Sequence, residues 1–493
     1  MELFWGDLHN HCGISYGFGS LENALEDART HLDFCCVTGH AMWPDMYERV
    51  PETMFVVDFH KRGFEKLKKG WDEVRRMVNA YNDERLVTFQ SYEMHSSKYG
   101  DCHFVSPDEA FPLIYRDSPA EIIRDCGCRA IAVPHHIGYT PGYRGISWEL
   151  FDERISPVVE VYSKHGCAMR EDGPFPYYHD MGPLDPRNTV AEGLRRGCHF
   201  SFAGSTDHHA GFPGSYGDGI AGVWAEEKTR EAIWKAITKG HIYAASGDRI
   251  ACSFFVNDAM MGDKLTTEKR HIRLMAEGDA LLESMTVRKN GRILKQYMPE
   301  NTPERDFENR YKLRLEMGWS NSPDLYHWEG EIRVKGGEFV RVQPYLRGRN
   351  ALSPSDAEVD SQDDTNRLHN FVVPGKEHVM FGCDTTCNKS TLHPLTSAFV
   401  FEVKGKTDAV ITLRLNGQTK ETTLQELLRC GYTAQMKPWH SHAYKMHTAY
   451  PAALCCGEME FDDLPEAEED VYQAEIVQGN GCRAFVSPIY VRA

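Results

Sequence analysis

The sequence predicts an α/β half running to Asp248, followed by a mainly antiparallel β-sandwich-like half from Arg249 to Ala493. Three observations predict it. The first 248 residues alternate short apolar runs with stretches of helical period, as strand–helix units do. Past Ser246-Gly247-Asp248-Arg249 the helical period gives way to short alternating runs separated by turn residues. The length of 493 residues exceeds what one core organises, so two domains are expected, 1–248 and 249–493.

Leu3 to Leu8 reads as a strand leading into His9-Asn10-His11. Ser20 caps a helix to about His31, with Leu21, Ala24, Leu25, Ala28 and Leu32 on its apolar face. Asp33 to Thr38 is a buried-type strand ending at His40, and Phe59 to Tyr81 is a long amphipathic helix. Leu86 to Tyr92 is a strand ending at Glu93. Ser118-Pro119-Ala120-Glu121 opens a helix with a capping box and proline in its first turn. It leads to strand Ala130 to Val133, which ends at His135. Val158 to Tyr162 is a strand containing Glu160, Val190 to Arg196 a helix, and Phe200 to Gly204 a strand running into Asp207. Arg230 to Lys239 is a helix stopped by Gly240. In the second half, alternation marks strands at 272–275, 285–288, 331–334, 398–401 and 410–413, and a hairpin at 472–486. Pro344 to Lys376, rich in Asp, Ser, Asn and Arg, reads as a long surface loop.

The formal net charge of −17 argues against nucleic acid or an anionic membrane as partner. The chain opens on its first motif without a signal-peptide pattern. Fifteen cysteines, an odd number without framework spacing, fit reduced thiols and a cytoplasmic location. Cys126-Gly127-Cys128 and the Cys383/Cys387 pair lack a matching second pair and read as structural. The expected partner is a small-molecule or oligosaccharide substrate, with a homo-oligomer as the candidate assembly.

His9 and His11 alternate, so on a strand end both face one side and suit a borderline ion such as Zn, Mn or Fe. Glu93, His103, His135, His136, Asp207, His208 and His209 also follow or end apolar runs. Parallel α/β barrels place their chemistry at the C-terminal ends of strands.

The motifs Asp7-Leu8-His9-Asn10-His11, Val37-Thr38-Gly39-His40, Ser91-Tyr92-Glu93, Gly100-Asp101-Cys102-His103, Val133-Pro134-His135-His136 and Gly204-Ser205-Thr206-Asp207-His208-His209 come in a specific order. Through them the first half resembles the polymerase and histidinol phosphatase (PHP) superfamily. That resemblance implies a distorted (β/α)7 barrel with two or three divalent ions. It implies that His9, His11, Glu93 and Asp207 hold the first ion, that Glu93 bridges to a second with His103 and His135, and that His40 and His209 face a third. Two departures weaken the third position: Gly39 stands where the family has Asp, and Gly17 where it often has His or Asp.

Other residues carry two readings. His136 and His208 are neighbours of ligands, with His136 exchangeable for His135. Asp7 is a supporting residue. His95 either reaches the site or faces solvent. Glu160 and His165 are candidate catalytic groups, against a buried paired carboxylate and a surface histidine. Arg144, Lys164 and Arg249 are candidates to hold an anionic substrate group, against plain surface charge. His440, His442 and His447 read as a structural or substrate-contacting loop rather than a second metal site. With two ions bound, the expected activity is hydrolysis by an activated water, with phosphoesters as the superfamily's substrates. Cleavage of a glycan, amide or carbon–carbon bond is the second reading, and a non-catalytic binding protein the third. If the third ion is absent, His40 and His209 are expected to titrate near neutral pH and act as acids.

Overall fold

A computed structural model describes residues 1–175, 182–299, 309–320, 322, 325–348, 369–386, 395–439 and 441–493. In the first half the order is β1 (Glu2–Asp7), α1 (Leu21–His31), β2 (Phe34–Cys36), β3 (Gly39–Met42), α2 (Met54–Ala80), β4 (Val87–Met94), β5 (Cys102–Ser106) and α3 (Pro119–Asp125). There follow β6 (Ile131–Pro134), β7 (Val158–Ser163), β8 (Gly166–Cys167), α4 (Val190–Arg195), β9 (Ser201–Gly204), β10 (Ile220–Ala225), α5 (Arg230–Lys239) and β11 (Ile242–Ala245).

The helix starts obey local chemistry. Ser20, Ser118, Thr189 and Thr229 each accept a hydrogen bond from a backbone N–H of the first turn. Gly240 ends α5 in the left-handed region at φ +89°, where a side chain would be strained. Helix α2 starts earlier than its periodicity suggests and buries Val57, Leu67, Trp71, Val74 and Val78.

The chain is a mixed α/β protein, rich in sheet, and a regular parallel barrel is not what forms. β1–β2, β2–β4, β3–β4 and β7–β9 are parallel, but β4–β5–β6 and β1–β10 are antiparallel. The link between β4 and β5 is too short for a parallel crossover, which needs a dozen or more residues. Glu93 therefore lies inside a strand rather than past its end, and His103 sits on an antiparallel strand that the sequence pattern did not reveal.

Among the described residues, the strand pairs of the second half's two further sheets are antiparallel. One joins Ala251–Val256, Ala259–Met260, Arg270–Glu277 and Cys456–Asp463. The larger one is built on two long strands, Tyr326–Tyr345 and Ser397–Leu415, the second uniting two runs that read as separate strands. The expected loop at 344–376 is too wide at both ends: Pro344 and Tyr345 close a strand and Phe371–Val373 is another. Its middle, 349–368, lies outside the described residues, as does Cys387. The described cysteines are free thiols.

The expected hairpin forms, as Glu469–Gln478 with Arg483–Arg492, but it does not stay with the second half's own sheets. Its last strand pairs with β11 (Ala244 opposite Phe485, Ala245 opposite Ala484), so one sheet continues across the 248/249 line. Phe485 is buried with Ala244, Val159 and Phe202, and that burial gives the pairing its hydrophobic reason. No helix among the described residues is long and apolar enough to cross a membrane.

Candidate metal centre

Strand β1 delivers His9 and His11 side by side. Their outward nitrogens are occupied: His9 Nδ1 lies 2.9 Å from Glu160 Oε2, and His11 Nδ1 lies 2.7 Å from the Thr38 carbonyl. Both rings are thereby turned so that their Nε2 atoms meet at 3.1 Å. The Asp207 segment is held against them by backbone bonds from Asp207 N to His9 O (2.7 Å) and from His11 N to His208 O (2.8 Å). Asp207 itself has φ +49°, a conformation that aims its carboxylate inward.

Glu93 lies at the middle. Its Oε2 is 3.5 Å from His9 Nε2, 3.3 Å from His11 Nε2 and 3.4 Å from His40 Nε2, yet makes no hydrogen bond. Its Oε1 is 3.1 Å from His135 Nε2 and 3.2 Å from His95 Nδ1. Asp207 Oδ1 is 3.0 Å from His11 Nε2, while Oδ2 is 2.7 Å from His165 Nε2 and 3.2 Å from His136 Nε2. The His103 ring stacks on His9 at 4.3 Å, and its Nδ1 is 3.3 Å from His135 Nδ1. The His209 ring lies 4.3 Å from that of His11. Several of these side chains group closely enough to share an ion: His9, His103 and His135; His9, His11 and Glu93; His11, His40 and His209.

All of these groups are buried. Burial, and then neighbouring imidazoles, hold His40, His103, His136 and His209 well below the ordinary histidine range. Burial opposes charge on His9 too, but Asp207 and Glu160 overcome it and hold His9 well above that range. Burial likewise opposes charge on Glu93, but His95, His40 and His135 keep it well below the usual carboxylate range.

The donor set fits a divalent ion. In neutral His9 and His11 with the proton on Nδ1, the Nε2 lone pairs face each other and the carboxylate oxygens, an arrangement that a divalent ion between them would relieve. Two ligands of one tetrahedral ion at ~2.1 Å sit roughly 3.4 Å apart, and the spacings around Glu93 Oε2 are 3.3–3.5 Å.

The fold thus gathers His9, His11, His40, Glu93, His103, His135, Glu160, His165, Asp207 and His209. His165 is fully buried against Asp207, not on the surface. His136 touches Asp207 as closely as several expected ligands do. Asp7 sits behind, accepting from Thr206 Oγ1 (2.6 Å) and from the backbone of His9 and Gly214, and burial pushes its carboxyl up to about 6.

The three expected anion-holding cations each have protein partners of their own, and Arg144 Nη2 lies 2.9 Å from His95 Nδ1. Arg144 Nε donates to Asp101 Oδ2 at 2.6 Å, and Lys164 Nζ lies 3.3 Å from Asp218. Arg249 donates to the His31 carbonyl at the end of α1, and its backbone N–H to Tyr345 Oη. In the second half, the His442 ring stacks on Tyr326 at 3.8 Å while His447 pairs with Glu316 at 2.6 Å, so the two have separate partners. His440 lies outside the described residues.

Two residues escaped the sequence reading. The Tyr16 ring stacks on His40 at 3.6 Å, with its hydroxyl 2.9 Å from His95 Nε2, and nothing in the local pattern announced it. Asp101 holds His95 at 3.2 Å, and its place two residues before His103 was the available signal. The two glycine departures have packing reasons. A Cβ at Gly39 would lie 2.5 Å from Leu67 Cδ1 of α2, and one at Gly17 would lie 2.6 Å from the Cys12 carbonyl oxygen.

Residues 213–292 match a family described as Protein of unknown function (DUF3604). An uncharacterized protein of Chlamydia pneumoniae is 31% identical over 262 residues, covering 47% of this chain and 41% of that one. One of Chlamydia trachomatis serovar D is 28% identical over 340 residues, covering 63% of this chain and 51% of that one. The chain thus spans about half or less of these curated relatives' length. Among solved structures, a two-domain protein of Bacteroides vulgatus, described as containing a predicted PHP-like metal-dependent phosphoesterase, aligns at TM-score 0.33 and 14% identity. That alignment covers 58% of this chain and 79% of that one.

Proposed function

We propose that this chain is a metal-dependent hydrolase with a PHP-type barrel and a centre for two divalent ions, Zn, Mn or Fe, and that it cleaves phosphoesters. The observation that carries the reading is Glu93 Oε2, buried without a hydrogen bond among the Nε2 atoms of His9, His11 and His40. A carboxylate so placed needs a cation. His9, His11, Glu93 and Asp207 would hold one ion, and Glu93, His103 and His135 the other. His11 can serve one ion only, which leaves His40 and His209 as two donors for a third, fewer than a firmly held zinc has. Bound divalent ions supply an acidified water and polarise the electrophile.

The residues around them do the orienting. Glu160 accepts from His9 Nδ1–H and the Thr38 carbonyl from His11 Nδ1–H, fixing both tautomers with Nε2 free to ligate. His95 is held differently, with Asp101 3.2 Å and Arg144 Nη2 2.9 Å from its Nδ1 and the Tyr16 hydroxyl 2.9 Å from its Nε2, so both of its ring nitrogens are engaged. His165 stands against Asp207 Oδ2 and limits how that carboxylate can swing.

Elemental analysis of the purified protein should give about two divalent ions per chain, and chelation should abolish turnover of a phosphoester panel. A metal-free protein whose activity ignores chelator would sink the reading. One observation favours a second bond type: Arg144 and Lys164 are neutralised by Asp101 and Asp218. A site poor in anion-holding charge suits a glycosidic, amide or neutral ester bond, and metal-dependent turnover of neutral esters or glycosides alone would establish it.

A further inference from the structure

The loop from Cys12 to Gly19, between His11 and α1, is tied to itself and to the centre. The Gly13 N–H donates to the Gly19 carbonyl and the Phe18 N–H to the His209 carbonyl, both at 2.8 Å. Ser15 and Tyr16 lie within this loop. Ser15 Oγ accepts from the His40 backbone N–H at 3.0 Å and engages His40 Nδ1 at 3.2 Å. That leaves Nε2 as the His40 nitrogen facing the centre, 3.4 Å from Glu93 Oε2. The Tyr16 ring covers the His40 ring at 3.6 Å, 20° from parallel. Its hydroxyl lies 2.9 Å from His95 Nε2, and the other nitrogen of His95 lies 3.2 Å from Glu93 Oε1.

Tyr16 thus touches two imidazoles that flank the two different oxygens of Glu93. A histidine ring keeps its place only where rotation about its side-chain bonds is blocked. Stacking blocks it for His40, and the hydrogen bond restrains it for His95. Tyr16 is itself fixed from behind. Its ring is 4.6 Å from Phe59 of α2, and α2 carries glycine at 63, where a Cβ would lie 2.5 Å from Tyr16 Cδ1. Only 3% of Tyr16 is exposed, so its grip on the two rings is held inside the protein.

We propose that Tyr16, together with Ser15, is a positioning residue of the centre: it holds His40 and His95 against the two oxygens of Glu93 and so sets the plane in which that carboxylate meets a metal ion. This rests on the hydrolase reading and deepens it. A hold of this kind acts through the ligand without touching the ion.

The test loads the chelator-treated full chain with Co(II). It reads the visible absorption and, by competition with a chromogenic chelator, the affinity. Tyr16→Phe keeps the stack and loses the bond to His95, Tyr16→Leu loses both, and Ser15→Ala releases His40 Nδ1. Affinity should fall about tenfold or more in Tyr16→Leu and Ser15→Ala, and by less in Tyr16→Phe. The Co(II) band should change in each, with circular dichroism unaltered. If Tyr16→Leu does not fold, the other two variants carry the test. Wild-type affinity and band shape in Tyr16→Phe and Ser15→Ala overturn the proposal even where thermal stability drops, since that is the mark of residues that only pack. A wild-type chain that takes up no Co(II) overturns the hydrolase reading as well, whereas uptake with indifferent variants overturns the positioning role alone.

Discussion

Lys312, buried on a strand of the large second-half sheet, has Glu277, the Gly278 carbonyl and Asp279 within 3.2 Å of its ammonium. His9, equally buried in the first half, meets His11 nitrogen to nitrogen. Around Lys312 every charge has its complement: Asp279 also accepts from Arg341 and Tyr345, and Arg314 donates to both oxygens of Asp248 at 2.6 Å. Asp248 takes further bonds from Tyr216, Asn480 and Gln478. One network is closed by its own side chains, and the other gathers ring nitrogens and carboxylates in a set that could hold a metal ion. Burial of polar groups is common to both, so the balance of donors and acceptors, not burial, distinguishes a structural network from a candidate site.

The comparison breaks first at the carboxylates. Glu93→Gln and Asp207→Asn should each reduce activity by more than about 100-fold, beyond the range of residues that only orient a ligand. Metal content should fall and the far-ultraviolet circular dichroism stay unchanged. Full activity in either variant would put the centre elsewhere. Next comes Asp248→Ala, which removes the fully buried carboxylate from the partly buried Arg314 and should lower unfolding free energy by about 3 kcal/mol. Denaturant titration reads this, and unaltered metal content in the folded variant is part of the expectation. Glu160→Gln, which spares the ligands but weakens the hold on His9, should lower metal affinity about 10–100-fold. Competition with a chromogenic chelator measures it, and wild-type affinity would strip Glu160 of that role.

The smallest effect lies at the seam. His31, whose Nε2 is 2.9 Å from the Pro213 carbonyl, is pushed down to about 3 by burial and then by Arg249. Its unfolded counterpart takes up a proton near 6.5, so the unfolded state binds more protons as pH falls from there toward 3. The stability is full above that window and should fall by up to about 1.4 kcal/mol per pH unit within it. His31→Gln should flatten the slope of stability between pH 6.5 and 5 by that amount, and an unchanged slope would refute the assignment.

What could be read from the chain alone follows from distance along it. Ser20, Ser118, Thr189 and Thr229 act within one turn, and four of the first-half helices end within one residue of where the pattern places them; α2 begins earlier. His9 and His11 face one way because strand periodicity is local. Glu160 is 151 positions from His9, and its role depends on β7 lying beside β9 rather than on any neighbour in sequence. Arg249 misled for the same reason: it follows a motif in sequence, but its guanidinium turns to α1. The bland alternatives for His95 and His165 assumed exposure, and tertiary packing buried both.

The pairing of Arg483–Arg492 with β11 has a consequence for biosynthesis. The sheet containing β1, the strand that leads into His9 and His11, receives one of its members from residues translated hundreds of positions later. While the ribosome is still making the second half, β11 has an open edge, and the buried row that Phe485 will cover faces solvent. Folding of the first half is thereby coupled to the arrival of the distant strand, and a nascent chain halted near residue 248 would present a sticky, incomplete sheet to whatever chaperone meets it.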